Sequence, residues 1–330
     1  MHAEVEQTRA RSNWSVRRTL AVLDISVTSY YRWLREEAWA RALPPEPITP
    51  VQAYEALPEE KDAVTKYALS HPEIRHRELA WRMIDEDVAY VSSSTVYRIL
   101  KEQQLIGPRR GRRKRYRDDH EKAQHPDQIW GTDIMYLKIA ESQYFFLAFI
   151  DEYSRYIVHW ELLSSMDGLT ITQSMQRALE TLPCDEDGKL QVKPEIRSDN
   201  GSGYISRDFY QLLAHHELIH QRITPGCPEE NGIMERANRT VREALEDIEM
   251  QNRYQATDTL SRIIQHYNEE RLHSALGFVT PQEVYRGQPE IVHRARRLKM
   301  SQARHRRKQI NLGIRQRTLP YEPGDTVSSN

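Results

Sequence analysis

QIWGTDIMYLKIAESQYFFLAFIDEYSRYIVHWELL, residues 128–163, is the stretch that decides the fold. Segments 129–139, 144–151 and 156–163 are rich in aromatic and branched side chains, the residues that suit a pleated, half-buried surface. The gaps between them, 140–143 and 152–155, are short and polar, as hairpins require. Three antiparallel strands are therefore expected. Further on, the texture alternates: a helix near 170–182, a short strand at 195–198, a helix near 207–215 and a last strand at 219–224. A Gly/Pro loop over 225–231 then opens a long helix from Gly232 to about Met250. Hairpin strands followed by alternating helices and strands make a mixed α/β layer fold. Residues 257–285 read as helical with a break near Gly277, and the tail from Gly287 reads as too polar for a core, extended or partly disordered.

Upstream, the pattern is all helical. In residues 1–40, Val16, Leu20 and Leu23 fall at helical spacing, Asp24-Ile25 makes a turn, and Ser26 caps a second helix holding Tyr30, Tyr31 and Leu34. This is a helix–turn–helix pattern. Residues 42–50 hold four prolines in nine positions and read as a stiff linker, taken as 41–60. A second helix–turn–helix unit is expected over 61–108: one helix carries Leu79, Ala80 and Met83, and Ser92 caps another with Val96, Ile99 and Leu100. The latter would present Ser93, Ser94, Tyr97, Arg98 and Lys101, a face suited to major-groove entry.

The chain has 330 residues, a net charge of -1 and 38% apolar residues, enough for a sizeable core. No run of 18 apolar residues offers a membrane span, and two cysteines are too few for a disulfide framework. A soluble, cytoplasmic, nucleoid-associated protein is the expectation. The small net charge conceals segregation. Residues 101–117 hold eight basic side chains and one acidic, including Arg109, Arg110, Arg112, Arg113, Lys114 and Arg115 in the basic linker 109–127. Residues 291–321, within a basic tail 287–330, hold ten basic and none acidic. Residues 128–250 hold 21 acidic and 11 basic, a net of -10, leaving +9 for the rest. Basic arms around an acidic middle suit a polyanion held over a site that itself needs negative charge.

Three carboxylates mark that site. Asp133 lies inside the first strand, Asp199 ends a short strand before the turn dipeptide Asn200-Gly201, and Glu235 sits in the first turn of the long helix. Each alone has an ordinary role, as an edge-strand side chain, a turn residue or a complement to the helix dipole. Two carboxylates ~4 Å apart repel by roughly 4 kcal/mol at an effective dielectric near 20, so a cluster of three calls for protons or cations. Hard, oxygen-preferring Mg2+ fits, and two ions could serve in-line displacement at phosphorus. Asp151 is a rival for the first position, or a partner of Ser154 or Arg155. His215, His216 and His220 lack a fourth ligand, and Cys227 falls in the loop without a role.

Asp199 and Glu235 are separated by 35 residues, in the blocks Trp130-Gly131-Thr132-Asp133, Ser198-Asp199-Asn200-Gly201-Ser202 and Asn231-Gly232-Ile233-Met234-Glu235-Arg236. These resemble the D,D(35)E core of the retroviral integrase superfamily, most closely the transposases of the IS3 insertion-sequence family. Asp151-Glu152-Tyr153-Ser154-Arg155 is similar to that family's D-x-x-S-R block. His266-Tyr267-Asn268, Arg271, His273, Leu276-Gly277 and Thr280-Pro281 are similar to its block after the catalytic helix. The resemblance spans roughly 60–285, the core itself being 128–286 with its C-terminal helices.

It implies an RNase H-like mixed-sheet catalytic domain behind helix–turn–helix units. It further implies Mg2+ or Mn2+ dependence, with cleavage at element ends and joining of the 3′-OH to target DNA. Asp133, Asp199 and Glu235 would be catalytic and metal-binding. Arg242 stands where the family commonly has Lys, and with Arg98, Lys101, Arg236 and Arg239 would contact DNA. Double-stranded DNA, further copies of the chain and an upstream helix–turn–helix protein are the expected partners. The zinc-binding domain of retroviral integrases is not expected, because His71 and His76 have no Cys-x-x-Cys downstream. A DNA-binding regulator with an inactive nuclease domain, and a metal-independent tyrosine recombinase, are the competing readings.

Overall fold

A computed structural model describes residues 2–42, 51–106, 122–224 and 228–318. Two compact units emerge, one of residues 1–53 with 310–330, the other of residues 54–309. In the first, α1 (His2–Ser12), α2 (Val16–Val22) and α3 (Val27–Ala42) close on Val5, Leu20 and Tyr30. The Asp24 turn adopts φ 54°, and Ser26 Oγ accepts from the Ser29 N–H at 3.0 Å, the cap the sequence signals. The Val5 helix was not part of the sequence expectation.

The second unit begins with a three-helix module, α4 (Pro58–Ser70), α5 (His76–Asp85) and α6 (Ser93–Glu102). Its core holds Val64, Leu79, Met83, Val91, Val96 and Ile99. The expected linker over 41–60 is too long at both ends. α3 runs through Ala42, and α4 starts at Pro58, where the fixed φ of proline suits a first helical position. Glu60 Oε2 accepts from the Leu57 N–H at 2.9 Å, which satisfies one of the free donors of that helix start. Ser92 caps α6 by accepting from the Thr95 N–H. The Pro-rich stretch 43–50 and the basic run 109–115 lie outside the described residues.

Five strands follow: β1 (Ile129–Ile139), β2 (Ser142–Asp151), β3 (Ile157–Leu163), β4 (Glu195–Ser198) and β5 (His220–Arg222). Their order is β3-β2-β1-β4-β5. The first three pair antiparallel and the last two run parallel to β1. On one face lie α7 (Gly168–Leu179) and α8 (Arg207–His215), packed against Trp130, Leu147, Phe149 and Ile196. On the other lie α9 (Gly232–Leu245) and α10 (Arg253–Glu269), packed against Met135, Leu137, Phe146 and Ile150. This is the RNase H-like arrangement. The alternation along β1 sends odd-numbered residues toward α9, as a period of two requires.

The chain after α10 ties the sheet together. Buried Asn268 accepts from the Ile157 N–H at 2.9 Å and donates to the Ile157 carbonyl at 3.0 Å, imitating a neighbouring strand at the start of β3. A turn with Gly277 at φ 73° leads through α11 (Pro281–Tyr285), whose Tyr285 donates to Asp127 Oδ1 at 2.7 Å. Asp127 also accepts from Trp130 Nε1 and Arg286.

The tail differs from expectation. Pro289–Thr318 forms one helix, α12. It is rich in Ala, Leu, Met, Lys, Arg and Gln, all strong helix formers. Two of its arginines are buried: Arg296 grips both carboxylate oxygens of Asp85 at 2.7 and 2.6 Å, and Arg307 grips Glu60 at 2.7 and 2.9 Å. The polar composition hid this, because arginine stems bury against other helices while the fork finds a carboxylate. Deleting the tail would therefore remove part of the fold. Arg307→Ala strands Glu60 and should lower stability by about 2–4 kcal/mol. Exposed Arg297→Ala should change it by less than about 0.5 kcal/mol, both read from urea unfolding.

Candidate active site

β1 and β4 pair at three positions only, Ile129↔Glu195, Trp130↔Ile196 and Gly131↔Arg197. Continued by two residues, that register sets Asp133 level with Asp199, on the same face of the sheet. The face is the one beneath α9, where Met135 and Leu137 meet Met234, Ala237 and Val241. Asp133 Oδ2 accepts from Asn238 Nδ2 at 2.9 Å, and its Oδ1 from the Ile134 N–H at 2.9 Å. Asn238 lies three residues beyond Glu235, so the two are neighbours on one side of α9.

The Asp199 turn is built by short-range bonds. Asp199 Oδ1 accepts from the Gly201 N–H at 2.9 Å, and Asn200 Nδ2 donates to the Ile223 carbonyl at 2.9 Å. A Cβ on Gly201 would stand 2.9 Å from Asp199 Oδ1, so a side chain there would push the carboxylate aside. Beneath, the Tyr204 hydroxyl lies 3.0 Å from Thr132 Oγ1. Burial raises the Tyr204 phenol well above its ordinary range, with the charges of Asp133 and Asp199 adding to the effect.

Electrostatics link all three acids. Burial pushes the Asp133 carboxyl up to about 6, the charges of Asp199 and Glu235 push the same way, and the bonds from Ile134 and Asn238 oppose them. Asp133 and Asp199 are half-buried and Glu235 is exposed. Among the described residues no three His, Cys, Asp or Glu side chains stand close enough to hold a metal ion ready-made. Like charges without a cation between them gain by staying apart. The donor chemistry is nonetheless that of a hard cation: carboxylate oxygens, with the buried amide oxygens Asn231 Oδ1 and Asn238 Oδ1 lacking a hydrogen-bond partner among the described residues. Asn238 was missed by sequence reading, although its spacing from Glu235 on a helix was available. Glu152 and Arg197, a buried ion pair at 2.6 Å, carried no sequence signal at all.

The other expected residues fall as follows. Asp151 is fully buried and occupied: Oδ1 accepts from the Asp127 N–H at 2.7 Å, and Oδ2 from Ser154 N and Oγ at 2.8 and 2.5 Å. It closes the end of the β2–β3 hairpin. Arg98 and Lys101 are exposed on α6, and Arg236, Arg239 and Arg242 are exposed on α9, with Arg239 held by Glu243 at 2.8 Å. Arg109, Arg110, Arg112, Arg113, Lys114 and Arg115 lie outside the described residues, as does Cys227. His220 Nε2 meets Ser198 Oγ at 2.8 Å, and His216 Nε2 meets Gln176 at 3.2 Å.

Two family models, both described as an integrase core domain, match residues 123–228 and 216–281. The chain is 28% identical over 166 residues to the transposase for insertion sequence element IS904 of Lactococcus lactis, covering 49% of this chain and 62% of the relative. It is 26% identical over 163 residues to transposase InsF for insertion sequence IS3A of Escherichia coli K12, covering 49% and 54%. The chain thus spans about three fifths of the first of these relatives. Among solved structures, it is similar to the HTLV-2 integrase catalytic core domain in complex with magnesium. That likeness has a TM-score of 0.40 and 17% identity, covering 50% of this chain and 99% of that one.

The raised Asp133 carboxyl has a stability consequence. Its ordinary value is 3.8, so between there and about 6 the unfolded chain ionises while the folded one resists. Its contribution to stability is complete below pH 3.8 and is lost as pH rises through about 6. Asp133→Asn should therefore stabilise the metal-free protein at pH 7 by roughly 1–3 kcal/mol, with no gain near pH 3.5. Urea unfolding in EDTA at the two pH values measures the difference.

Proposed function

We propose that this chain, which carries the integrase core domain of the insertion-sequence transposase family, cleaves DNA at the ends of an insertion element and joins the freed 3′-OH to target DNA. The observation that supports the reading is the β1–β4 register, whose three pairs, continued by two residues, would set Asp133 level with Asp199 on the face that α9 covers. The charges of Asp199 and Glu235, which add to burial in raising the Asp133 carboxyl, support it as well.

Asp133, Asp199 and Glu235 are the residues that would hold divalent cations, Mg2+ or Mn2+, and two ions suit an in-line displacement. When bound, such cations supply positive charge that stabilises the attacking and leaving oxygens at phosphorus. The chain's own part is to hold the acceptors. Asn238 fixes Asp133 Oδ2, and the Gly201 N–H fixes Asp199 Oδ1. The Asn200 bond to Ile223 keeps the turn from swinging away. In the first step water attacks a phosphodiester and the 3′-oxygen leaves. In the second that 3′-OH attacks a target phosphodiester in the same geometry, releasing a target 3′-OH. Glu235, exposed, is the carboxylate free to approach once the repulsion is neutralised.

Double-stranded DNA would be gathered by Arg98 and Lys101 on α6, by Arg236, Arg239 and Arg242 on α9, and by the basic run 109–115. Their spread along the chain suits element ends held by helical units while the core holds the scissile phosphate. Copies of the chain acting together on two ends, assisted by an upstream helix–turn–helix partner, complete the proposal.

Two measurements test it. Asp199→Asn should bind end-sequence DNA normally yet lose cleavage by at least about 100-fold, and cleavage by the parent chain should stop in EDTA. Normal cutting by the variant, or cutting in EDTA, would sink the carboxylate mechanism. Binding without cutting by the parent chain in Mg2+ would favour a DNA-binding regulator. Arg98→Ala and Lys101→Ala should each weaken binding and lower the slope of log affinity against log salt by about 1.

A further inference from the structure

We propose that the row Glu152–Arg197–Gln221, built on a buried ion pair, is the positioning device that holds Asp133 and Asp199 in line with each other. Gly131, Arg197 and Gln221 lie level across β1, β4 and β5. Two residues further along β1 and β4 come Asp133 and Asp199, so the charged row lies one same-face rung, roughly 6.6 Å, behind the carboxylate row. Arg197 Nη1 donates to Glu152 Oε2 at 2.6 Å, and its Nε and Nη2 donate to Gln221 Oε1 at 3.2 and 2.9 Å. Gln221 in turn donates to Glu195 on the next strand. Glu152 reaches this row from the hairpin after β2, passing close over Gly131, where a Cβ would stand in ordinary contact 3.4 Å from Glu152 Oε1 and 3.7 Å from Asn231 Oδ1.

Asn231 is the residue immediately before α9, four positions ahead of Glu235. The row therefore meets β1 two residues before Asp133 and β4 two residues before Asp199, while Asn231, at the start of α9, lies near Gly131. Stability alone does not account for charge at this place. Arg197 and Glu152 are 8% and 4% exposed, and burying an ion pair costs about as much as it returns, so apolar packing would serve equally well. Apolar packing would not fix register. The guanidinium fork does, because it must meet Glu152 and Gln221 at once from one position on β4.

The proposal rests on the carboxylate reading above. Its test is the full chain melted in EDTA and across a Mg2+ titration, alongside end-DNA binding and cleavage. Glu152→Gln keeps the shape and a hydrogen-bond acceptor. It should raise the Mg2+ concentration that half-saturates the melting shift about 10-fold and lower cleavage by about 10–100-fold, leaving DNA affinity in EDTA unchanged. Arg197→Lys, which keeps the charge but not the fork, should move the same way. The double variant Glu152→Gln/Arg197→Gln, whose two amides can bond across Gly131, should recover part of the Mg2+ response. If Glu152→Gln or, should that variant not fold, Arg197→Lys keeps the parent Mg2+ half-saturation and cleavage rate, the positioning role is overturned. Asp199→Asn separates the two failures. Loss of its Mg2+ response beside a normal Glu152→Gln sinks the positioning role alone, and a retained response sinks the carboxylate reading beneath it.

Discussion

The parallel pairing of β1 with β4 is the constraint on which the site depends. It comprises three residue pairs, and its continuation by two residues sets Asp133 and Asp199, 66 positions apart along the chain, level on one face. A slip of one residue would send Asp199 to the opposite face, toward α7 and α8, because side chains alternate strictly along a strand. The flanking strands limit such a slip from either side. β2 pairs with β1 over its full length, and β5 pairs with the far edge of β4.

Several residues outside the acidic trio are explained by this same need for fixed strands. Asn268 meets the backbone of Ile157 with both halves of its amide, closing the start of β3. Asp127 gathers Trp130, Tyr285 and Arg286, while its own N–H goes to Asp151, so the two ends of the first hairpin share one buried network. Residues after α9 that match the family block in sequence include, in the fold, braces for the sheet. Thr280 caps α11, and Tyr285 at that helix's end stacks on Tyr156 with ring centroids 4.6 Å apart.

Charge segregation along the chain divides into two physical roles. Arg98, Lys101 and Arg242 are exposed and available to a polyanion. Arg296 and Arg307 belong to an equally basic stretch but are spent on Asp85 and Glu60 inside the second unit. A count of basic residues cannot separate these. The distinction lies in whether a carboxylate stands opposite once the helices have packed, and that depends on residues more than 200 positions away.

Local physics made much legible from the sequence: the β1–β2–β3 meander, the strand at 195–198, the helix at 207–215, and the Ser26 and Ser92 caps. Each follows from side-chain periodicity, turn residues or capping, which act over a few positions. Helices α1 and α4 and the long α12 escaped notice because their faces are polar or are closed by arginine stems, where hydropathy gives no period. The level placement of Asp133 and Asp199, the hold of Asn238 on Asp133 and the Glu152–Arg197–Gln221 row behind them were decided by tertiary structure alone. They come from strand register and helix packing, which join residues that the chain itself keeps far apart.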